Sequence, residues 1–175
     1  GFTHWAKLNN LKQAAKTMNF LTEHGISSYG ELESKLTAVS ARRDTAHAEI
    51  KRIESRSAEL ALVMKHAGTY RQLKPLYERY RKSNDKEKFL RGHESEIILF
   101  EAAARELKRL GTVPLPTTES MKTELANLNA EKERLLAEYK AARAEAQEYE
   151  TVKQNVDALL TVAKEQEQQR RHELE

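Results

Sequence analysis

Hydrophobic positions along this chain recur in steps of three and four residues, the spacing that places side chains on one face of an α-helix. The clearest run extends from Leu32 to Ala67, where steps of four and three alternate without interruption. This alternation is the heptad repeat of a coiled coil, whose a and d positions form a continuous seam. The seam positions are Leu32, Leu36, Val39, Arg43, Ala46, Ile50, Ile53, Ser57, Leu60, Met64 and Ala67. We therefore predict a coiled-coil helix over about 29–68, ending at Gly68.

A second seam of the same kind begins near Thr118. Its positions are Met121, Leu125, Leu128, Lys132, Leu135, Tyr139, Ala142, Ala146 and Tyr149, after which one short step leads to Val152, Val156 and Leu159. Such a short step is a stammer, which locally overwinds a coiled coil. We predict a second coiled-coil helix over about 118–163, followed by a polar tail over 164–175 that is frayed or disordered.

Shorter helical patterns lie before and between the two seams. Residues 4–24 form an amphipathic pattern whose apolar face holds Trp5, Leu8, Leu11, Ala15, Met18 and Leu21. Gly25 suits a left-handed C-terminal cap, and Ser28 with Glu31 forms the pattern of a capping box. Residues 69–110 are predicted as a helical tip, in which Pro75 kinks or starts a helix and Gly111 ends the last one. Residues 112–117 contain two prolines and are predicted as a loop.

The two seams have matching lengths and are separated by roughly fifty residues. We therefore predict an all-α fold: an elongated antiparallel coiled-coil hairpin, with a short helical cap at the far end and an N-terminal helix at the base. Residues 1–163 would form a single helical domain. In the predicted register, facing residue numbers sum to about 190, which places Arg43 near Glu148 and Lys132 near Glu59. We expect a monomer, with a dimer as the alternative, because a seam can also pair with a second chain.

Composition narrows the class of protein further. Charged residues make up 33% of the chain, and Ala, Glu, Lys, Arg and Leu together exceed half of it, as is typical of long helices. There is no cysteine, so disulfides and thiolate chemistry are excluded, and a reducing cytoplasmic location fits. The longest apolar run has five residues, Leu60 to Met64, so we expect no membrane contact. The first residue is Gly rather than Met, and we expect a fragment of a longer protein.

Catalytic and metal-binding patterns are lacking in the sequence. The six histidines lie far apart, at His4, His24, His47, His66, His93 and His172. No Gly-rich phosphate loop and no Ser-His-Asp set is present. Tyr77 and Tyr80 have neither a base nor a metal signalled beside them, and we interpret them as packing residues against Phe89. We expect no catalytic residue, no metal and no cofactor, and hence no enzymatic activity in this segment.

The charge distribution gives the strongest functional signal. The chain carries a net charge of +3, but residues 65–91 contain nine basic side chains and three acidic ones, so this segment is +6 and the remainder −3. Tyrosines interleave with the basic residues, a pattern that suits phosphate contact and base stacking. The candidate DNA contacts are Lys65, Arg71, Lys74, Arg79, Arg81, Lys82, Lys86, Lys88, Arg91, Tyr70, Tyr77 and Tyr80. The alternative interpretation is a solvated helical surface.

Three stretches of the chain, residues 5–33, 70–111 and 115–160, resemble the C-terminal region of bacterial conjugative relaxases, the mobilisation nucleases that nick a transfer origin. The most specific part of this resemblance is the irregular central stretch, with Pro75, Tyr77, Tyr80, Phe89 and His93. The resemblance covers about residues 2–160 and implies a nuclease domain upstream, with a catalytic tyrosine and a histidine-bound metal. No residue of this chain matches those motifs, so no catalytic role is carried over.

The resemblance implies a non-catalytic arm of a DNA-nicking enzyme, which contributes DNA or partner-protein contacts during transfer of a plasmid or mobile element. The partners we expect are DNA, bound without sequence preference, or accessory proteins of conjugation. The alternative is a purely structural coiled coil that serves as a spacer or a homodimerisation module. Nucleic-acid binding and molecular mass in solution would separate the two hypotheses.

Overall fold

The computed structural model describes the backbone of residues 2–175 and the side chains of residues 10–175. It contains helices α1 (Phe2–Glu23), α2 (Tyr29–Lys82), α3 (Lys86–Arg109) and α4 (Thr118–Leu174), and no strand within these residues. The predicted all-α class is therefore confirmed. The predicted face residues Trp5 and Leu8, like His4, lie outside the described side chains.

The chain divides into two compact units, both of which fall largely within the predicted helical domain over 1–163. Unit 1 contains residues 1–48 and 135–175, and unit 2 contains residues 49–134. Helices α2 and α4 contribute residues to both units.

The predicted seam of α2 is confirmed by burial. Seven of its eleven positions are buried and the other four, including Arg43 and Ser57, are half-buried, so none is exposed. The seam of α4 is likewise unexposed from Met121 to Val156, and Leu159 is its first exposed position at 44%. The heptad pattern therefore located the buried face of both long helices.

In unit 1, α2 and α4 run antiparallel. The Tyr29 hydroxyl donates to an Asp157 carboxylate oxygen over 2.7 Å, and Arg42 pairs with Glu145 at 3.4 Å. These facing numbers sum to 186 and 187 rather than 190, a difference of about one helical turn. The predicted register is therefore wrong by about one turn in unit 1. The core of unit 1 joins all three helices through Leu32, Val39, Ala146, Tyr149 and Val152, with Phe20 and Leu21 of α1 against them.

Unit 2 also contains an antiparallel pair of α2 and α4 segments. Arg56 donates to Glu124 over 2.7 Å, and Lys132 pairs with Glu54 at 3.2 Å instead of with the predicted Glu59. Helix α3 completes this unit by placing Leu107 in a cluster with residues of α2 and α4: Leu60, Val63, Ala67 and Met121.

The helix ends follow the predicted capping chemistry. Gly25 has φ +63°, and the Ile26 amide donates to the Leu21 carbonyl over 2.9 Å, which is the long bond of a Schellman motif. Gly111 has φ +70° and ends α3 in the same way. At the start of α2, the Glu31 amide donates to the Ser28 hydroxyl over 3.1 Å, but the Glu31 carboxylate accepts from the Ser27 amide rather than from Ser28. The hydrogen bond from the Glu31 carboxylate back to the backbone is therefore displaced by one residue relative to a standard capping box.

Two predicted helix ends are wrong. Helix α2 continues through Gly68 and Pro75 to Lys82, since Gly68 lies on the exposed side of a helix already held by buried neighbours. Helix α4 continues to Leu174 through the tail predicted to fray, and every side chain there is exposed. Its Gln, Glu, Arg and Lys residues have high helix propensity, and Arg171 pairs with Glu167 one turn earlier at 3.2 Å.

The predicted apolar face of α1 is wrong at Leu11 and Met18 and right at Leu21. Leu11 and Met18 are 66% and 58% exposed, whereas Leu21 packs against the core and the polar Thr17 is 2% exposed. The Asn155 amide of α4 donates to the Thr17 hydroxyl over 3.2 Å, which satisfies the buried oxygen. The helix is therefore rotated from the predicted orientation, so that the polar Thr17 faces α4.

Candidate nucleic-acid interface

The basic residues between Lys65 and Arg91, here called the basic segment, all lie in unit 2. Six of the nine basic side chains belong to the last third of α2, and three belong to the first two turns of α3. Residues 83–85 connect the two helices. The predicted positive charge therefore lies on the C-terminal part of α2 and the N-terminal part of α3, which follow each other in the chain.

All nine basic side chains of the segment are exposed. Within the described side chains, none of them lies within 4.0 Å of a carboxylate as an ion pair. The basic residues Arg42, Arg52, Arg56 and Arg109, in contrast, each pair with a glutamate at 2.7–3.4 Å. The segment therefore keeps an excess of positive charge, although Glu78, Asp85 and Glu87 lie within it.

Four of the nine have a structural role that explains their presence. Arg71 donates to the Pro116 carbonyl and to the Thr118 hydroxyl, which ties α2 to the beginning of α4. Arg79, Arg81 and Lys82 occupy the last turn of α2, where the negative end of the helix dipole favours cations by roughly 0.3–1 kcal/mol each. Helix stability accounts for the last three residues, and the contact with the beginning of α4 accounts for Arg71.

Helix α3 shows the opposite arrangement at its beginning. Lys86 and Lys88 lie in the first turn, where the positive end of the dipole disfavours cations. Asp85 caps this end by accepting from the Lys88 amide over 3.1 Å, and Glu87 adds a second acidic group. The two lysines therefore gain nothing from the helix they belong to, and an external anion would be a favourable partner.

The three tyrosines of the segment are half-buried rather than free. Tyr70 and Tyr77 both stack on Phe100 of α3, with ring centroids 4.9 Å and 4.3 Å apart. Both Tyr77 and Tyr80 were predicted to pack against Phe89; Tyr80 does so at 6.0 Å, whereas Tyr77 stacks on Phe100 instead. The Tyr77 and Tyr80 rings lie 5.8 Å apart. Phe89 in turn contacts His93 at 4.7 Å. The rings form a continuous aromatic row between α2 and α3.

Arg105 is a basic residue near the segment that sequence reasoning missed. It lines a groove of about 460 Å³ between α2 and α3, together with Lys74 and Arg81. The acidic residues Glu78 and Glu101 line the same groove. The signal available in the sequence was its position five residues after Phe100, on the helix that packs against the tyrosines.

His93 interrupts α3 with φ −138° and ψ 24°, so the helix is kinked there. Its Nδ1 atom is buried without a hydrogen-bond partner among the described residues, and the nearest carboxylate oxygen, Oε2 of Glu96, is 3.8 Å away. The sequence analysis predicted residues 69–110 as a helical tip, with no break at position 93. The preceding Gly92 was the one local sign of a break, since glycine weakens a helix interior.

The described part of the chain contains no group of three or more His, Asp or Glu side chains that could hold a metal ion. No helix in this part combines the length and the apolar character that crossing a membrane requires. Comparison with protein-family models, with curated proteins and with solved structures found no match to this chain.

Proposed function

We propose that this chain is a non-catalytic helical arm of a DNA-processing protein, and that its basic segment binds DNA phosphates without reading the base sequence. The observation that carries the proposal is the set of nine exposed cations, none in an ion pair among the described side chains. A local excess of unpaired positive charge attracts polyanions, because phosphate contacts release the counterions condensed on nucleic acid. The resemblance to the C-terminal region of conjugative relaxases supplies the biological context: an arm that contributes DNA or partner-protein contacts during transfer.

The arm would be an elongated antiparallel coiled-coil hairpin that acts as a monomer in the cytoplasm. The antiparallel α2–α4 contacts inside each unit support this architecture, as does the continuous burial of the seam positions. The arm would contribute no catalytic group, and chemistry would belong to another part of a longer protein.

Fluorescence anisotropy with a labelled duplex of arbitrary sequence tests the proposal. Non-specific binding of this kind has a dissociation constant of roughly 1–100 μM at physiological salt, and log K falls with log salt by about 0.9 per phosphate neutralised. Changing Lys86, Lys88 and Arg91 together to Gln should flatten the slope by about one unit for each phosphate that the variant no longer neutralises. These three residues suit the test because the helix dipole does not account for them.

A matched control removes the same charge elsewhere. Lys122, Lys140 and Arg143 are likewise exposed and lie outside the basic segment, so their replacement by Gln should leave the slope closer to the parent value. Helicity by circular dichroism should stay unchanged in both triple variants. An absence of binding at ~50 mM salt would overturn the proposal, and so would equal effects of the two triple variants.

The alternative function is a structural coiled coil that acts as a spacer or dimerises. The exposed apolar residues near the end of α4 are the observation that favours it, since Leu159, Leu160 and Val162 are 44%, 49% and 50% exposed. A chain of twice the monomer mass that binds no nucleic acid would establish this alternative.

A further inference from the structure

Base stacking requires an aromatic ring with an open face, and the aromatic row of the basic segment does not offer one on its inner side. Tyr70 and Tyr77 are two helical turns apart on α2, about 10.5 Å along the axis. Phe100 stacks on both, with interplanar angles of 24° and 26°, so it lies between them as the middle of a three-ring stack. One face of each tyrosine is therefore already covered.

Further contacts lie against the Tyr70 and Tyr77 rings. The Lys74 ammonium lies 5.8 Å from the Tyr70 centroid, and Tyr80 lies tilted against Tyr77 at 5.8 Å. Tyr80 itself is held between Tyr77 and Phe89. The contacts of the three tyrosines with Phe100 and Phe89 join α2 to α3, so a base could take the place of these rings only by opening the packing between the two helices.

The basic side chains, unlike the tyrosine rings, are accessible to a ligand. All nine are exposed, while the three tyrosines between them are half-buried. A ligand approaching the basic segment therefore meets ammonium and guanidinium groups before it meets a ring. This order of contact suits a partner recognised through its phosphates.

We propose that the basic segment takes nucleic acid as a duplex, through phosphate contacts alone, and that the tyrosines are structural residues rather than base platforms. This inference rests on the proposed function and adds the form of the ligand. A duplex carries one negative charge per about 1.7 Å of its axis, and the salt slope for each phosphate neutralised is about −0.9, compared with about −0.7 for a single strand. Proteins that prefer single strands offset the lower charge density by stacking bases on aromatic rings, whereas the tyrosines of this surface are half-buried and already packed against Phe100 or Phe89.

The test compares three labelled ligands under identical salt: a DNA duplex, an RNA duplex of the same sequence, and one DNA strand of the same length. If four phosphates are contacted and the affinities converge near 1 M salt, the two slopes predict roughly tenfold tighter binding of duplex at ~50 mM salt. DNA and RNA duplexes should bind within a few-fold of each other, since both present phosphates. Comparable or tighter binding of the single strand would overturn the inference.

A tyrosine variant provides a second readout. Tyr80→Leu removes a ring whose contacts are tilted rather than stacked, and we expect both affinities to stay within about twofold of the parent, because phosphate contacts dominate such binding. A tenfold drop in affinity confined to the single strand, with helicity unchanged, would show that the ring is a base platform and overturn the inference. If neither duplex nor single strand binds, the proposed function itself fails. The duplex comparison in the parent chain needs no variant to fold.

Discussion

The Asn155 side-chain amide donates a hydrogen bond to the Thr17 hydroxyl over 3.2 Å, joining α4 to α1. Thr17 is 2% exposed, and it is the one buried polar residue of the described chain. A buried hydroxyl without a partner costs about 1–3 kcal/mol, and the Asn155 amide removes that cost for Thr17. The pair therefore makes a polar residue compatible with the face of α1 that also packs Phe20 and Leu21 against the core.

We predict that Thr17→Lys weakens the docking of α1, whereas Met18→Lys does not. A lysine at position 17 would place a charge at a site that is only 2% exposed, at a cost of about 2 kcal/mol or more. Position 18 is 58% exposed, so the same change there should stay within about 0.5 kcal/mol. Hydrogen exchange of the α1 amides and urea unfolding measure both effects.

The adjacent position serves as a matched control, since both variants add the same charge to the same helix. Equal destabilisation by the two lysines, or a larger effect at position 18, would contradict the observed rotation of α1. The hydrophobic pattern of α1, taken alone, predicts that second result.

The sequence predicted the two long helices well and the short one poorly, for a physical reason. The α2 seam has eleven positions, and the nine apolar ones identify the buried face even though Arg43 and Ser57 are polar. In α1 the predicted face rested on few residues, and the observed face is set by long-range contacts: Phe20 and Leu21 pack against the core, and Thr17 meets a partner 138 positions away. A partner that distant in the chain leaves no local periodic signal.

In the candidate interface, the sequence predicted the charge but not the packing of the rings. The nine basic residues could be counted from the sequence, and all nine are exposed in the structure. The packing of the tyrosines depended on Phe100, which lies 23 residues beyond Tyr77 and belongs to another helix. Arg105 stayed outside the predicted set for the same reason, because its proximity to Lys74 and Arg81 arises from helix packing.

We predict that Gly68→Ala stabilises the chain. Gly68 lies inside α2 rather than at its end, with a negative φ, and a Cβ added there meets no atom within 4 Å. Alanine lowers the conformational entropy of the unfolded chain and suits a helix interior, for a gain of about 0.5–1 kcal/mol. Thermal or urea unfolding followed by circular dichroism measures the gain.

The same substitution at Gly25 should have the opposite sign. Gly25 adopts φ +63° at the end of α1, where an L-residue costs about 1–2 kcal/mol. A Gly68→Ala variant that is less stable than the parent would indicate that α2 ends near residue 68, as the sequence pattern had suggested.

We predict that acidification destabilises the chain partly through Glu31 and Glu106. Hydrogen bonds from the Ser27 amide and hydroxyl lower the pKa of Glu31, and hydrogen bonds from Arg109 lower the pKa of Glu106. A carboxyl whose pKa is lower in the folded state contributes stability above its ordinary value of 4.5, and this is lost as pH falls through the folded pKa. Urea unfolding at neutral pH and near pH 3 measures the decrease.

The variant with both glutamates changed to Gln isolates this contribution. It should be less stable than the parent at neutral pH, and acidification should lower its stability by less, because two of the titrating groups are gone. A decrease on acidification equal to that of the parent would mean that neither carboxylate is stabilised by these bonds in the folded state.

We predict that the chain is monomeric in solution, with a mass near 20.1 kDa by light scattering after gel filtration. The seam of α2 has no exposed position, and that of α4 has none before Leu159, so little seam is left for a second copy. Leu159, Leu160 and Val162 of α4 are a group of exposed apolar residues through which two copies would associate. Leu160→Lys therefore serves as the control variant. A parent mass of about twice the monomer value that falls to the monomer value in this variant would contradict the prediction and assign dimerisation to the end of α4. A dimer that survives the substitution would instead mean that the seams themselves exchange between chains.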